Sequence, residues 1–244
     1  MRNLRLDLCY DGTRYKGWQR LNQNDNTIQA KLEYTLSRIL GESVEVTGSG
    51  RTDAGTHAAF QVANVHCKSS VPCDEILSQL RKYLPEDIGI YSCRNVSERF
   101  HARLNVKSKT YRYRIWNSEM PCVFDRRYVW TDPRDLNLEA MQKASLEFLG
   151  THDFSAFCAN KKQKKSTVRT IYAFSVERCG EEIVFTVTGN GFLHNMVRVL
   201  VGTLVEIGTG ERRSDSISSL FGGNRADAGV TLPACGLCLM EVSY

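Results

Sequence analysis

The 244-residue chain predicts an α+β fold made of two sheet-and-helix halves. Three observations lead there. Period-2 stretches and 3.6-residue apolar stripes alternate along both halves, and the breaks between them are glycines, prolines and capping residues rather than a low-complexity linker. The composition, 42% hydrophobic and 24% charged, is that of an ordinary globular chain, which excludes a disordered protein, a collagen-like fibre and a membrane-embedded one. The length suits two modest domains or one large one, and the pattern places two at residues 1–104 and 105–244, with a shared sheet or a tight interface.

In order, Leu4, Leu6, Leu8 and Tyr10 alternate with polar neighbours as a half-buried strand does, and Asp11-Gly12-Thr13 opens a polar loop. Thr27 starts a helix whose stripe is Ile28, Leu32, Leu36, Ile39 and Leu40, closed by Gly41. Strands are expected at 44–47 and 61–67, on either side of a loop at 48–57. Asp74 is expected to cap a helix burying Ile76, Leu77, Leu80, Tyr83 and Leu84, before a strand at 88–96. The second half repeats this grammar: a strand at 106–116, a helix capped by Asn137 and ended by Gly150, and strands at 168–176 and 183–188 around a turn at Cys179-Gly180. A strongly apolar helix is expected over 192–207 and a closing strand over 237–242.

The amino terminus lacks the apolar core of a signal peptide, and the run 192–207 is too short to span a bilayer, so a cytoplasmic location is expected. Nine scattered cysteines then read as small buried apolar residues. The one Cys-x-x-Cys, Cys235 and Cys238, has no second pair at zinc-ligand spacing; a thiol or metal enzyme using it is the weaker alternative.

Three features carry chemistry. The loop Gly48-Ser49-Gly50-Arg51-Thr52-Asp53-Ala54-Gly55-Thr56-His57 sets an arginine, a threonine and an aspartate among three glycines, although a plain Asx-type turn explains those residues alone. It has neither a Walker lysine nor dinucleotide spacing. Arg198 stands inside the apolar run, four residues after His194 and on the same helical face, and a buried guanidinium demands an acidic partner unless it snorkels to water. Gly189-Asn190-Gly191 before it offers free amide groups to an anion. The net charge of +5 is concentrated: Arg99, Arg103, Lys107, Lys109, Arg112 and Arg114 form one acid-free stretch, and Lys161, Lys162, Lys164 and Lys165 another. Without these ten the rest of the chain carries −5. Tyr111-Arg112-Tyr113-Arg114 interleaves rings with cations, as a surface that grips phosphates and stacks bases does, or as an exposed strand face with tyrosines in the core does.

Together the motifs resemble one family. Gly50-Arg51-Thr52-Asp53-Ala54-Gly55-x-His57-Ala58 is similar to the signature loop of the TruA-type tRNA pseudouridine synthases. Tyr10-Asp11-Gly12-Thr13-x-Tyr15-x-Gly17-Trp18-Gln19 resembles its opening motif. Phe100-His101-Ala102-Arg103, Lys109-Thr110-Tyr111-Arg112-Tyr113, His152-Asp153-Phe154, Gly191-Phe192-Leu193-His194-x-Met196-Val197-Arg198 and Pro233-Ala234-x-Gly236-Leu237 follow in family order. Thr56 replaces a usual valine, and Arg20 precedes a common glutamine. The resemblance implies the pseudouridine synthase fold, a mixed, mainly antiparallel sheet with helices on one side. It implies isomerisation of uridine at positions 38, 39 or 40 of the tRNA anticodon stem-loop, without metal or cofactor. Asp53 corresponds to the catalytic aspartate, Arg198 to its basic partner, Tyr111 to the residue stacked on the uracil, Arg51 to one that helps extrude the nucleotide, and Leu237 to a wall of the base pocket. Arg103, Lys107 and Lys109 are expected to contact RNA. The family forms homodimers, with neither a membrane nor DNA as partner. A non-catalytic RNA-binding module of the same fold is the alternative.

Overall fold

A computed structural model describes residues 1–21, 26–160 and 165–244. It divides into two compact units, Met1–Lys107 with Leu239–Tyr244, and Ser108–Cys238. Each is α+β with mainly antiparallel strand pairing.

In the first unit β1 (Arg2–Tyr10) lies between β4 (Ile88–Val96) and β3 (His57–Cys67), antiparallel to both. The short β2 (Val46–Gly48) and the closing β10 (Leu237–Ser243), whose residues from Leu239 on belong to this unit, pair with β3. Leu4, Leu6 and Leu8 are fully buried, as their alternation predicts. Helix α1 (Ile28–Leu40) runs between both expected signals: Thr27 Oγ1 accepts from Ala30 N at 3.3 Å, and Gly41 closes the helix at φ +71°. Its stripe of Ile28, Leu32, Leu36 and Leu40 is buried, each contributing roughly 2 kcal/mol. Helix α2 (Cys73–Tyr83) corrects the expected cap: Pro72, not Asp74, precedes it, because proline's fixed φ starts the turn earlier. Asp74 and Glu75 fall in the first turn, where the helix dipole favours carboxylates. Tyr83, expected inside, is 60% exposed, with Lys82 Nζ 5.2 Å from its ring centroid.

In the second unit β5 (Ser108–Trp116), β9 (Glu182–Gly189), β8 (Val168–Cys179) and β7 (Gly150–Asp153) pair antiparallel in that order, and β6 (Trp130–Thr131) runs parallel to β5. Helix α3 (Leu138–Ser145), capped by Asn137 Oδ1 on Ala140 N, packs against α4 (Met196–Gly208) and β8. The core is aromatic: Tyr113, Phe148, Phe154, Phe157 and Phe185 are fully buried. Helix α4 begins four residues later than its apolar content predicts. Asn195 takes the left-handed conformation, φ +59°, so residues 192–195 form a corner and His194 does not share a helical face with Arg198.

Candidate active site

The loop carrying Asp53 is short, because β3 extends back to His57. It is held by the segment after β1. Tyr10 Oη and Thr52 Oγ1 are 2.8 Å apart, Trp18 N donates to Thr52 O at 3.0 Å, and Gly55 N to Tyr15 O at 3.3 Å. Gly12 N donates to His57 Nδ1 at 3.1 Å. Two glycines permit this approach: a Cβ on Gly12 would lie 2.0 Å from Thr56 O, and one on Gly17, at φ +94°, 2.6 Å from Thr52 O. Below the loop, the Ser49 hydroxyl donates to Gln61 Oε1, and Gln61 Nε2 to Gly50 O at 3.2 Å. Tyr15 Oη in turn donates to the Asp87 carboxylate, which also pairs with Arg14. Burial, then that hydrogen bond, pushes the Tyr15 phenol above its ordinary value. Within the loop Thr56 N donates to Asp53 O at 3.1 Å, leaving the Asp53 side chain half-buried between buried Thr52 and exposed Ala54. Arg51 is exposed and donates from Nε to Gln19 Oε1 at 2.9 Å.

The second unit gathers Tyr111, Arg198 and Leu237. The alternation of β5 buries Tyr111, Tyr113 and Ile115 and turns Arg112 outward. Tyr111, 7% exposed, meets the edge of Phe192, with centroids 5.1 Å apart and planes at 83°. Tyr113 Oη donates to Pro233 O at 2.7 Å, and a Cβ on Gly236 would lie 2.7 Å from the Tyr113 ring, so the 3-10 turn Ala234–Gly236 is pressed onto that ring. Burial raises the Tyr113 phenol, which stays a donor. This turn delivers Leu237 into a 5% exposed position. Arg198 occupies the first turn of α4, not its middle. Its Nε donates to Leu232 O at 2.6 Å and its Nη1 to Asn195 Oδ1 at 2.8 Å. Cys235 Sγ donates to Val129 O at 3.4 Å and burial raises its thiol, against a reactive role. Among the described residues no cluster of three or more His, Cys, Asp or Glu side chains could hold a metal ion.

Asp53, Arg51, Arg103 and Lys107 therefore stand in the first unit, and Tyr111, Lys109, Arg198 and Leu237 in the second. Arg103 and Lys107 are exposed and Lys109 half-buried. Arg103 N donates to His101 Nδ1 at 3.1 Å and Ala102 N to Asn64 Oδ1 at 2.9 Å, so the 100–103 motif is a scaffold turn that presents Arg103. Arg114 is spent within the fold, bonding Glu182 at 2.5 and 2.7 Å and Asp125 at 2.8 Å; these bonds raise its pKa. Of the second lysine cluster, Lys161, Lys162 and Lys164 lie outside the described residues and Lys165 is exposed. Sequence reasoning missed Phe192 as the neighbour of Tyr111 and Asn195 as an acceptor for Arg198. An asparagine just before an apolar helix was the available signal for the second; the first depends on strand pairing. No helix of the described residues is long and apolar enough to cross a membrane.

Residues 9–105 and 144–244 match the tRNA pseudouridine synthase family. The chain is 46% identical to tRNA pseudouridine synthase A 1 of Clostridium tetani. It is 44% identical both to tRNA pseudouridine synthase A of a Bacillus species and to that of Acetivibrio thermocellus. Each alignment covers 100% of both chains. Among solved structures, one chain of a Cbf5-Nop10-Gar1 complex aligns with 86% of this chain and 44% of its own length, at 12% identity and a TM-score of 0.38, a likeness too loose to bear on the site. The matched residues include the clamped aspartate loop of one unit and the Tyr111 and Arg198 corner motifs of the other only in part, since 106–143 lie outside the matched ranges, but the end-to-end relatives cover every motif: the chain belongs to the tRNA pseudouridine synthase family.

Proposed function

We propose that this chain isomerises uridine to pseudouridine in the anticodon stem-loop of tRNA, at positions 38, 39 or 40, on a target nucleotide flipped out of its stack. The observation that carries the reading is the clamp. A half-buried carboxylate, Asp53, sits on a loop held from Thr52 to His57 by backbone and side-chain bonds to the segment 10–19. A group that must meet the sugar and base in one geometry needs that fixity. The full-length relatives named tRNA pseudouridine synthase A support tRNA as the substrate. The reading carries with it a homodimer and a cytoplasmic location.

The reaction breaks the N1–C1′ bond, turns the base and joins C5 to C1′. The C5 hydrogen leaves as a proton and N1 gains one, so atoms and electrons balance with no oxidant or reductant. Asp53 acts at the reacting nucleotide, and Arg198 supplies a positive charge to the reaction. Tyr111, its ring fixed by Phe192, stacks on the uracil, and Leu237 walls the base. Arg51 helps extrude the nucleotide, an unstacking that costs roughly a few kcal/mol, and Arg103, Lys107 and Lys109 contact the RNA backbone. Replacing Asp53 with Asn tests the assignment. Pseudouridine formation in a tRNA transcript is expected to fall to background while tRNA binding persists; sustained turnover refutes it.

A further inference from the structure

Arg169 lies on β8 opposite His152 of β7, where the loop after β9 folds back over the strand. Asn190 fixes that loop with two bonds to Thr170. Its amide donates to Thr170 O and its Oδ1 accepts from Thr170 N, both at 3.0 Å. The flanking glycines keep the loop close. A Cβ on Gly189 would lie 2.7 Å from Thr170 O and 3.4 Å from Phe192 Cζ, and one on Gly191 3.8 Å from Arg169 Nε. The guanidinium thus runs beside bare main chain, and the next residue, Phe192, touches Tyr111.

The polar groups there are not consumed by the fold. Arg169 Nη1 donates to Ser166 O at 3.0 Å and Val168 O at 2.6 Å. Among the described residues its Nε and Nη2 have no protein acceptor and no carboxylate pairs with it; the half-buried Arg2 and Arg225 also lack a paired acid, but each spreads its bonds over more than one guanidinium nitrogen, whereas Arg169 bonds through Nη1 alone. The amides of Gly191 and Phe192 also donate to no protein acceptor among the described residues. Burial lowers the Arg169 pKa, so its charge carries a desolvation cost that an anion offsets. A guanidinium fork beside the Gly191 main chain, with the Phe192 amide next along it, suits phosphate oxygens.

We infer that Arg169 with the Gly191 and Phe192 amides forms a phosphate site for the substrate RNA backbone, adjoining the nucleotide that Tyr111 stacks upon. This rests on the functional reading above. The test measures binding of a tRNA transcript by the full chain across a salt series. Arg169→Gln is expected to weaken binding about tenfold or more and to lower the slope of log affinity against log salt by about 0.7–0.9, the signature of one lost phosphate contact. Gly191→Asp, which the space accommodates, puts a carboxylate beside the guanidinium and is expected to do the same with Arg169 intact. Neutral methylphosphonates placed one at a time around the target uridine should weaken wild-type binding at one position and leave Arg169→Gln unaffected there. Additive losses at every position, or an unchanged salt slope in both variants, overturn the site. So does a result in which inorganic phosphate raises the melting temperature of wild type but not Arg169→Gln while no methylphosphonate matters, because the site then serves free phosphate. If wild type forms no pseudouridine in tRNA, the functional reading itself fails. If it does and both variants bind like wild type, only the phosphate site fails.

Discussion

Alanine at Gly12 separates the clamp from ordinary backbone effects. Its Cβ would stand 2.0 Å from Thr56 O, and an uncrowded carbon–oxygen contact needs roughly 1.4 Å more. Neither side can yield alone, since the Gly12 amide is bonded to His57 Nδ1 and the Thr56 amide closes the turn at Asp53. Overpacking of this kind costs about 1–3 kcal/mol, which for a chain of this size lowers the melting temperature by roughly 2–12 °C. The displacement passes to Asp53, three residues from the clash, and a misplacement near 1 Å costs about 10²-fold in rate. Gly41→Ala is the control: at φ +71° with nothing within 4 Å, it carries only the left-handed penalty of roughly 1–2 kcal/mol. The two variants should therefore melt within a few degrees of each other and differ about a hundredfold in initial rate of pseudouridine formation, assayed well below both midpoints. Wild-type rate in Gly12→Ala, or an equal loss in Gly41→Ala, refutes the idea that the clamp sets the position of Asp53.

Asn195→Gly keeps the left-handed corner but removes the oxygen that receives Arg198 Nη1, so kcat should fall while KM and the melting temperature change little. Asn195→Asp restores an acceptor and should recover part of the loss; unchanged kcat in the glycine variant would release Arg198 from this support. The Cys93 thiol, pushed up to about 12 from 9.0 mainly by burial and next by Cys73, should escape iodoacetamide at pH 8 while exposed Cys179 is alkylated, as peptide mass spectrometry will show. Because the native thiol keeps its proton to higher pH than the unfolded one, the unfolded state binds fewer protons above about pH 9. Stability should accordingly fall as pH rises from 9 towards 12, and denaturant titrations of Cys93→Ala should show a shallower fall.

What could be read from sequence was what local chemistry decides. Thr27 and Gly41 end α1 from within a few residues, and Leu4, Leu6 and Leu8 need only alternation. Asp74 misled because an N-cap preference competes with the fixed backbone of Pro72. Phe192 and Leu193 extend the apolar stripe of α4, yet Phe192 packs on Tyr111 across the sheet, and the chain turns at Asn195 to allow it. Strand β7 gave no signal, since Thr151, His152 and Asp153 are polar and exist as a strand only through pairing with β8. At the site the residue types of Asp53 and Arg51 stood out, but the purpose of Gly12 and Gly17 did not: their partners lie some forty residues away.

The placement of Arg198 argues for chemistry over stability. A cation in the first turn of α4 opposes the helix dipole, at about 0.3–1 kcal/mol, and its neighbours Met196, Val197, Val199 and Leu200 are all buried. Leucine there would suit both the dipole and the core. The fold instead supplies Leu232 O and Asn195 Oδ1 as acceptors, the second from the sole non-glycine residue with positive φ among those described. The Asp53 loop shows the same bias, with glycines at the two positions where side chains would loosen its hold. Local rules broken and then compensated mark groups held for reaction, and both breaches fall on residues that the proposed isomerisation uses.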